Sequence, residues 1–438
     1  NDMNFTKENC QFRKMLSTSS DLHGRLLRLS EPIAEILRRT QYTPQESSKV
    51  STKDILLSLL PNTSSSRLAN EESIKSLALA CALLASSRSS THELLSWIPE
   101  NLSVMGESTF WEISRDCFSD FSSNSNAEKL VELVEDSEKI EMLPIVLPEL
   151  KDGIEKSSLG KGSDAEDVSA AMARTPVGYA ILAAHQLRWF VTQVKKPNLV
   201  KFCNLVVPCA LTALDHWSPE VKGQGMITFV HLAKNVSSGD LGLYGDVVLD
   251  ACCQNIASDD EIWIHVVELS VLLVTKIHPN NPRSPWYEKI MNEMLGHLER
   301  QPRNKERRIT WLRFVEPLLN SLGLFLLAHF RRIFPLFFQW MHSDDAETVL
   351  LVLERLETVV RLTWIRHSPV FPRLVDELVS LYKESSMRKD RDDIRPLILR
   401  ILMLLRQCKG LRFESAWSQY QEDPNLSTVS QHIWTSSS

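Results

Sequence analysis

A chain of 438 residues, 43% hydrophobic and 24% charged, has the composition of a folded protein and exceeds what one compact core usually holds. Its formal net charge of -6 argues against direct nucleic-acid binding through a basic surface, and against a polybasic membrane anchor. With only 14 glycines, a turn-dense, sheet-rich fold is disfavoured.

The eight cysteines contain no Cys-x-x-Cys pair, and several fall on apolar helix faces, so reduced thiols in a reducing, intracellular setting are expected. No signal peptide is visible in the first thirty residues. The most apolar run, Leu318 to Phe330, is too short to span a bilayer.

Taken in order, residues 1–150 read as an irregular helical region without a clear repeat. Leu26, Leu29, Ile33 and Leu37 make one apolar stripe, and Ile74, Leu77, Ala78, Cys81 and Leu84 a stronger one. Phe110 to Phe121 predicts a short aromatic helix, and Ala127 to Leu150 another, with Pro144 and Pro148 near its end. Residues 151–175 are small and polar with alternating charge, the pattern of a flexible linker or loop.

Residues 176–420 carry legible repeats. After a helix through Tyr179 and Phe190, the stripe Leu199, Phe202, Val206, Ala210 and Leu214 predicts a helix bent at Pro208. Ser218-Pro219 then opens a second helix, in which Gly225 permits close approach to its neighbour. Four further pairs follow. They are Leu243–Asn255 with Asp260–Ile277, Trp286–Leu298 with Glu306–Phe325, His329–Met341 with Asp345–Arg366, and Pro369–Tyr382 with Asp392–Gln407. The second helices align at Val221, Ile262, Ile309, Val349 and Ile394, which are 41, 47, 40 and 45 residues apart. That period is the HEAT and armadillo spacing. The expected fold is therefore all-α, a HEAT/armadillo-like α-solenoid: a superhelix of antiparallel helix pairs. Residues 421–438 read as a disordered tail.

Chemistry is harder to find. Gly160-Lys161-Gly162-Ser163 lacks the Ser or Thr directly after lysine that a phosphate loop needs, and His92-Glu93 lacks a second histidine at Ser96. Cys203 and Cys209 lie nearly opposite around a helix, and Cys252 and Cys253 point different ways, so packed thiols are the simpler reading than a zinc site. No Gly-x-Ser-x-Gly elbow occurs. No catalytic, cofactor-binding or metal-binding residue is assigned, and no cofactor is expected.

What remains is protein binding. Tryptophan and arginine are enriched at binding hot spots, which selects Arg361, Trp364 and Arg366, with Trp340, as the candidate contact residues. An adaptor or transport receptor taking other protein cargo is the alternative. It predicts a row of matching polar side chains on successive second helices, yet the corresponding positions hold Gln224, His265, Leu312, Val352 and Leu397.

Residues 179–420 resemble a known family. A turn from Val194 to Leu199 leads into the helix bearing Pro208, followed by Val221 to Gly223 and the Asp240–Tyr244 segment, and Phe330–Arg366 closes on a Trp-x-Arg. These elements are similar to the Tel-two-interacting protein two family, although Ile365 stands where its pattern has proline. The resemblance implies a non-catalytic helical-repeat subunit of the Triple-T co-chaperone complex, cytoplasmic and nuclear. It would bind Tel-two-interacting protein one directly. Tel-two, the ninety-kilodalton heat-shock chaperone machinery and phosphatidylinositol-3-kinase-related kinases would be indirect partners.

Overall fold

The structure is a computed structural model that describes residues 23–44, 49–61, 70–117, 142–157, 175–257, 260–366 and 369–435. The Gly160–Ser163 stretch, most of the expected linker and the first part of the 127–150 helix lie outside those residues. Among the described residues every regular element is helical, and the chain divides into two units, residues 1–240 and 241–438. The architecture is that of an all-α, HEAT-like helical repeat protein.

In the first unit, α1 (Asn70–Ser86) pairs with α2 (Glu100–Cys117), α3 (Met142–Glu155) with α4 (Val177–Gln193), and α5 (Cys203–Asp215) with α6 (Pro219–Asn235). Helix α4 packs against α1 on one side and α6 on the other, while α3 lies beside α5. Residue 176 is therefore no boundary. Gln186 of α4 donates to the Leu79 carbonyl at 2.9 Å, and Ser86 of α1 donates to the His185 carbonyl at 3.1 Å. These bonds satisfy polar groups that burial would otherwise penalise. The α3/α4 pair is a repeat that periodicity did not disclose, because a long polar insert separates its helices. Helix α3 does not end at the prolines: it runs on to Glu155, with Pro148 inside it.

Gly225 behaves as expected. A Cβ there would meet the Ala213 Cβ and Leu214 Cδ1 at 2.8 Å, so its absence lets α6 close on α5. Ser218 does occupy the N-cap of α6 with Pro219 first in the helix, but its side chain makes no capping bond.

In the second unit α7 (Gly245–Ile256) pairs with α8 (Trp263–Ile277). Helix α9 (Pro285–Arg300) packs against α7 and α8, α10 (Lys305–Phe314) packs against α8, and the pairs α12 (Phe330–Met341) with α13 (Ala346–Thr363) and α14 (Phe371–Glu384) with α15 (Arg391–Lys409) follow. The expected helix Glu306–Phe325 is broken. After α10 come α11 (Glu316–Leu322) and a 3₁₀ segment, Gly323–His329. Pro317 lacks the N–H needed to continue α10, and Gly323 turns the chain at φ +52°.

Pro208 and Pro335 share a register. Each is the sixth residue of its α-helix, and each helix follows a 3₁₀ segment, Asn198–Phe202 in one case and Gly323–His329 in the other. The second helices α8, α10, α13 and α15 pack side by side in that order. Ion pairs join neighbours along this layer: Arg308 to Asp345, Arg313 to Glu347 and Arg400 to Glu357.

The tail departs most from expectation. Helix α16 (Leu411–Trp417) packs on α15, and residues 427–435 form α17 (Ser427–Thr435) with Val429 and Ile433 buried against that same helix. Two apolar faces one helical turn apart give this segment a place to fold, despite its polar average.

Two stretches, Asn198–Asp215 and Glu316–Met341, are long and apolar enough by composition to cross a membrane, and about half of each is buried among neighbouring helices.

Candidate protein-binding surface

The end of α13 brings three of the four sequence-selected residues together. Thr363, the last helical residue, donates its hydroxyl to the Val359 carbonyl at 2.7 Å and accepts from the Ile365 N–H at 3.2 Å. Trp364 and Ile365 then adopt left-handed backbone conformations, with φ of 51° and 46°. A left-handed residue other than glycine costs about 1–2 kcal/mol, and β-branched Ile365 is a poor candidate for it. Two contacts hold the turn: the Ile365 side chain is fully buried, and Lys409 Nζ donates to its carbonyl at 2.7 Å. Proline could not stand at 365, since its ring fixes φ near -65°. This turn therefore differs from the family pattern.

Because Ile365 turns inward, Trp364 turns outward and is 57% exposed. The Arg366 guanidinium sits over its indole ring at 5.3 Å. Arg361, one turn back, is exposed and pairs with Glu357 at 2.6 Å. Glu357 also reaches Arg400 of α15 at 3.0 Å, so the edge is a joined network rather than a set of separate side chains. Glu357 itself is largely covered, while both arginines are exposed, so their guanidinium groups remain open to a partner.

Trp340 does not belong with them. It is 1% exposed, lies 6.1 Å from the Trp311 ring, and donates its indole N–H to the Pro302 carbonyl at 2.8 Å. It is a core residue of α12 with its one polar group satisfied internally. Nor do second helices present a matched polar row. Gln224, Leu312 and Val352 are buried, and His265 and Leu397 only partly exposed.

Beside the Trp364 turn lies a feature the sequence reading passed over. Helix α15 ends at Gly410, whose φ is +49°, and a cavity of about 380 Å³ opens between that turn and the start of α14. Pro369, Phe371, Pro372, Lys409 and Arg412 line it. Burial and the neighbouring Arg412 guanidinium push the Lys409 ammonium below its ordinary pKa. A glycine stop followed by Leu411-Arg412 was the available signal in the sequence.

The remaining titratable groups argue for packing. Cys203, Cys209, Cys252 and Cys253 are buried, and burial pushes the Cys209 and Cys253 thiols up to about 11, far from thiolate reactivity. Burial likewise lowers His185, His216, His231, His297 and His329, so these imidazoles are neutral at pH 7. Among the described residues no three His, Cys, Asp or Glu side chains are grouped to hold a metal.

No family model matches the chain. A 212-residue stretch is 27% identical to human (Homo sapiens) TELO2-interacting protein 2, covering 45% of this chain and 41% of that protein. The chain is similar to TELO2-interacting protein 2. That relative is of the family the sequence resembles, and the chain matches less than half of its length. Among solved structures, Kap95p in its complex with RanGDP aligns over 96% of this chain and 61% of its own, at 15% identity and a TM-score of 0.48. Yeast importin-beta aligns over 92% and 50%, at 12% identity and a TM-score of 0.37. Such scores assign no common fold, and the architecture rests on the helix pairing itself.

Proposed function

We propose that the chain is a non-catalytic scaffold subunit of a Triple-T co-chaperone assembly, binding Tel-two-interacting protein one directly. Through that partner and Tel-two it would support chaperone-dependent maturation of phosphatidylinositol-3-kinase-related kinases, in cytoplasm and nucleus. The observation that carries the reading is the 212-residue match to a protein named for its interaction with TELO2. The structure supplies a compatible frame. Helix pairs leave an extended surface between repeats, and the α13 end exposes an arginine-tryptophan cluster of hot-spot composition.

The test is reconstitution. The chain co-expressed with Tel-two-interacting protein one of the same organism should elute from gel filtration as one equimolar complex. Replacing Arg361 and Arg366 with glutamate should weaken that complex while the circular dichroism melt stays unchanged. Separate elution of the unmodified chains contradicts the scaffold reading. An undiminished complex in the double variant removes the α13 edge from it.

A further inference from the structure

The cavity between α14, α15 and α16 has a composition that folding alone does not explain. Its lining places two cations, Lys409 and Arg412, against the apolar faces of Phe371, Pro369 and Pro372, with no carboxylate among the lining residues. Lys409 has a structural reason to be there. It ends α15, where the helix dipole favours a cation, and it binds the Ile365 carbonyl. Arg412 has none. It falls in the first turn of α16, at the end of a helix where a cation is disfavoured, and it is exposed. Among the described residues, neither Arg412 nor Arg366 meets an acidic side chain.

Apolar groups flank the charges. Leu411 is 81% exposed and Trp364 57%, on two turns tied together by the bond from Lys409 to Ile365. Solvent-facing leucine and tryptophan beside unpaired guanidinium groups make a surface that is incomplete alone. The volume, about 380 Å³, lies at the small end of ligand pockets and suits one or two side chains rather than a folded domain. Charge sets the chemistry of the occupant. The patch is cationic on a chain whose net charge is -6, so the field of the whole molecule opposes a long polyanion. Local pairing with a few carboxylates meets no such opposition.

We propose that this notch binds a short acidic segment of a protein partner, with a carboxylate between Lys409 and Arg412 and an adjacent apolar side chain against Phe371 and Pro372. The inference rests on the protein-binding reading above and deepens it by assigning the partner's chemistry. Arg412 fixes the carboxylate through its planar fork. Lys409 contributes charge while continuing to hold the Trp364 turn.

The test is panning of a random dodecapeptide phage library on the immobilised full chain, with the recovered sequences read out. Recovered peptides should be enriched in Asp and Glu next to an apolar residue. Their recovery should fall roughly tenfold on an Arg412→Glu chain, as expected when one member of a desolvated charge pair is reversed. Arg412 is exposed, so the variant should melt as the unmodified chain does. Recovery without acidic enrichment overturns the proposal, as does acidic enrichment that survives Arg412→Glu. Binding of a short oligothymidine with the same sensitivity to Arg412→Glu also overturns it, by making the notch a polyanion contact. Complex formation with Tel-two-interacting protein one is read separately by gel filtration. Loss of acidic selection with that complex intact removes the notch and leaves the scaffold reading; loss of the complex with acidic selection intact does the reverse.

Discussion

Replacing Asp345 with alanine removes the N-cap of α13 and an ion pair that joins one repeat to the next. The Asp345 carboxylate caps α13 by accepting from the Thr348 N–H at 2.9 Å, and it pairs with Arg308 of α10. Burial pushes its carboxyl up, but the Thr348 hydrogen bonds and the Arg308 guanidinium outweigh that and hold it at about 2, against 3.8 in a free chain. At about 1.4 kcal/mol per pKa unit, this depression is worth roughly 2.5 kcal/mol. Loss of a helix N-cap alone costs about 1 kcal/mol and is part of that figure rather than an addition to it.

Asp345→Ala should therefore destabilise the second unit by about 2–3 kcal/mol at neutral pH. Asp345→Asn, which keeps a capping oxygen, should recover about 1 kcal/mol of that loss. The sign of the pH dependence follows from a depressed acid. The stabilisation is fully present above about pH 4 and is lost as the pH falls toward 2, so the penalty should shrink in acid. Urea titration by circular dichroism measures the total. Amide exchange across residues 346–363 locates it, which matters because repeat arrays can open in parts. A penalty below about 0.5 kcal/mol, or one as large near pH 3 as at pH 7, would refute the reasoning.

Other positions give independent checks. Gly225→Ala places a methyl group 2.8 Å from Ala213 and Leu214, and should cost about 1–3 kcal/mol despite better helix propensity; an unchanged melting temperature contradicts the close packing. Trp340→Ala should cost about 3–5 kcal/mol as a core truncation, and normal stability with lost partner binding would instead return Trp340 to the interface. His342 sits between Glu377 at 2.9 Å and Glu384 at 2.8 Å. Burial lowers its pKa, but the two carboxylates outweigh burial and leave it raised above 6.5. Its contribution is thus present below 6.5 and lost as the pH rises through the folded value, so His342→Gln should be more damaging near pH 6 than near pH 9; equal damage at both would contradict the assignment.

Helices α5 to α10 and α12 to α15 were legible because each carries its own stripe and turn residues. Pro208 and Pro335 even report the same register within their helices. The α3/α4 pair was not legible, since periodicity is blind to two helices parted by a long polar insert. Nor was the break at Gly323, where Leu318 to Phe330 reads as one apolar run whether its backbone is α-helical or 3₁₀. Trp340 and Trp364 show the limit at single residues. Both are tryptophans near arginine in the same repeat. What separates them is that Trp340 lies on the inward stripe of α12 and Trp364 lies beyond the end of α13, where the buried Ile365 turns it out. The acidic-peptide notch depends on α15 and α16 ending and starting around Gly410, a juxtaposition that residue spacing alone does not convey.

The central claim, a scaffold of the Triple-T kind, is tested most directly by affinity purification of the tagged chain from its native cells in gentle salt, with partners identified by mass spectrometry. Tel-two and Tel-two-interacting protein one should be recovered in near-equal amounts with the chain. Their absence, with nuclear-pore or vesicle components in their place, would contradict the account.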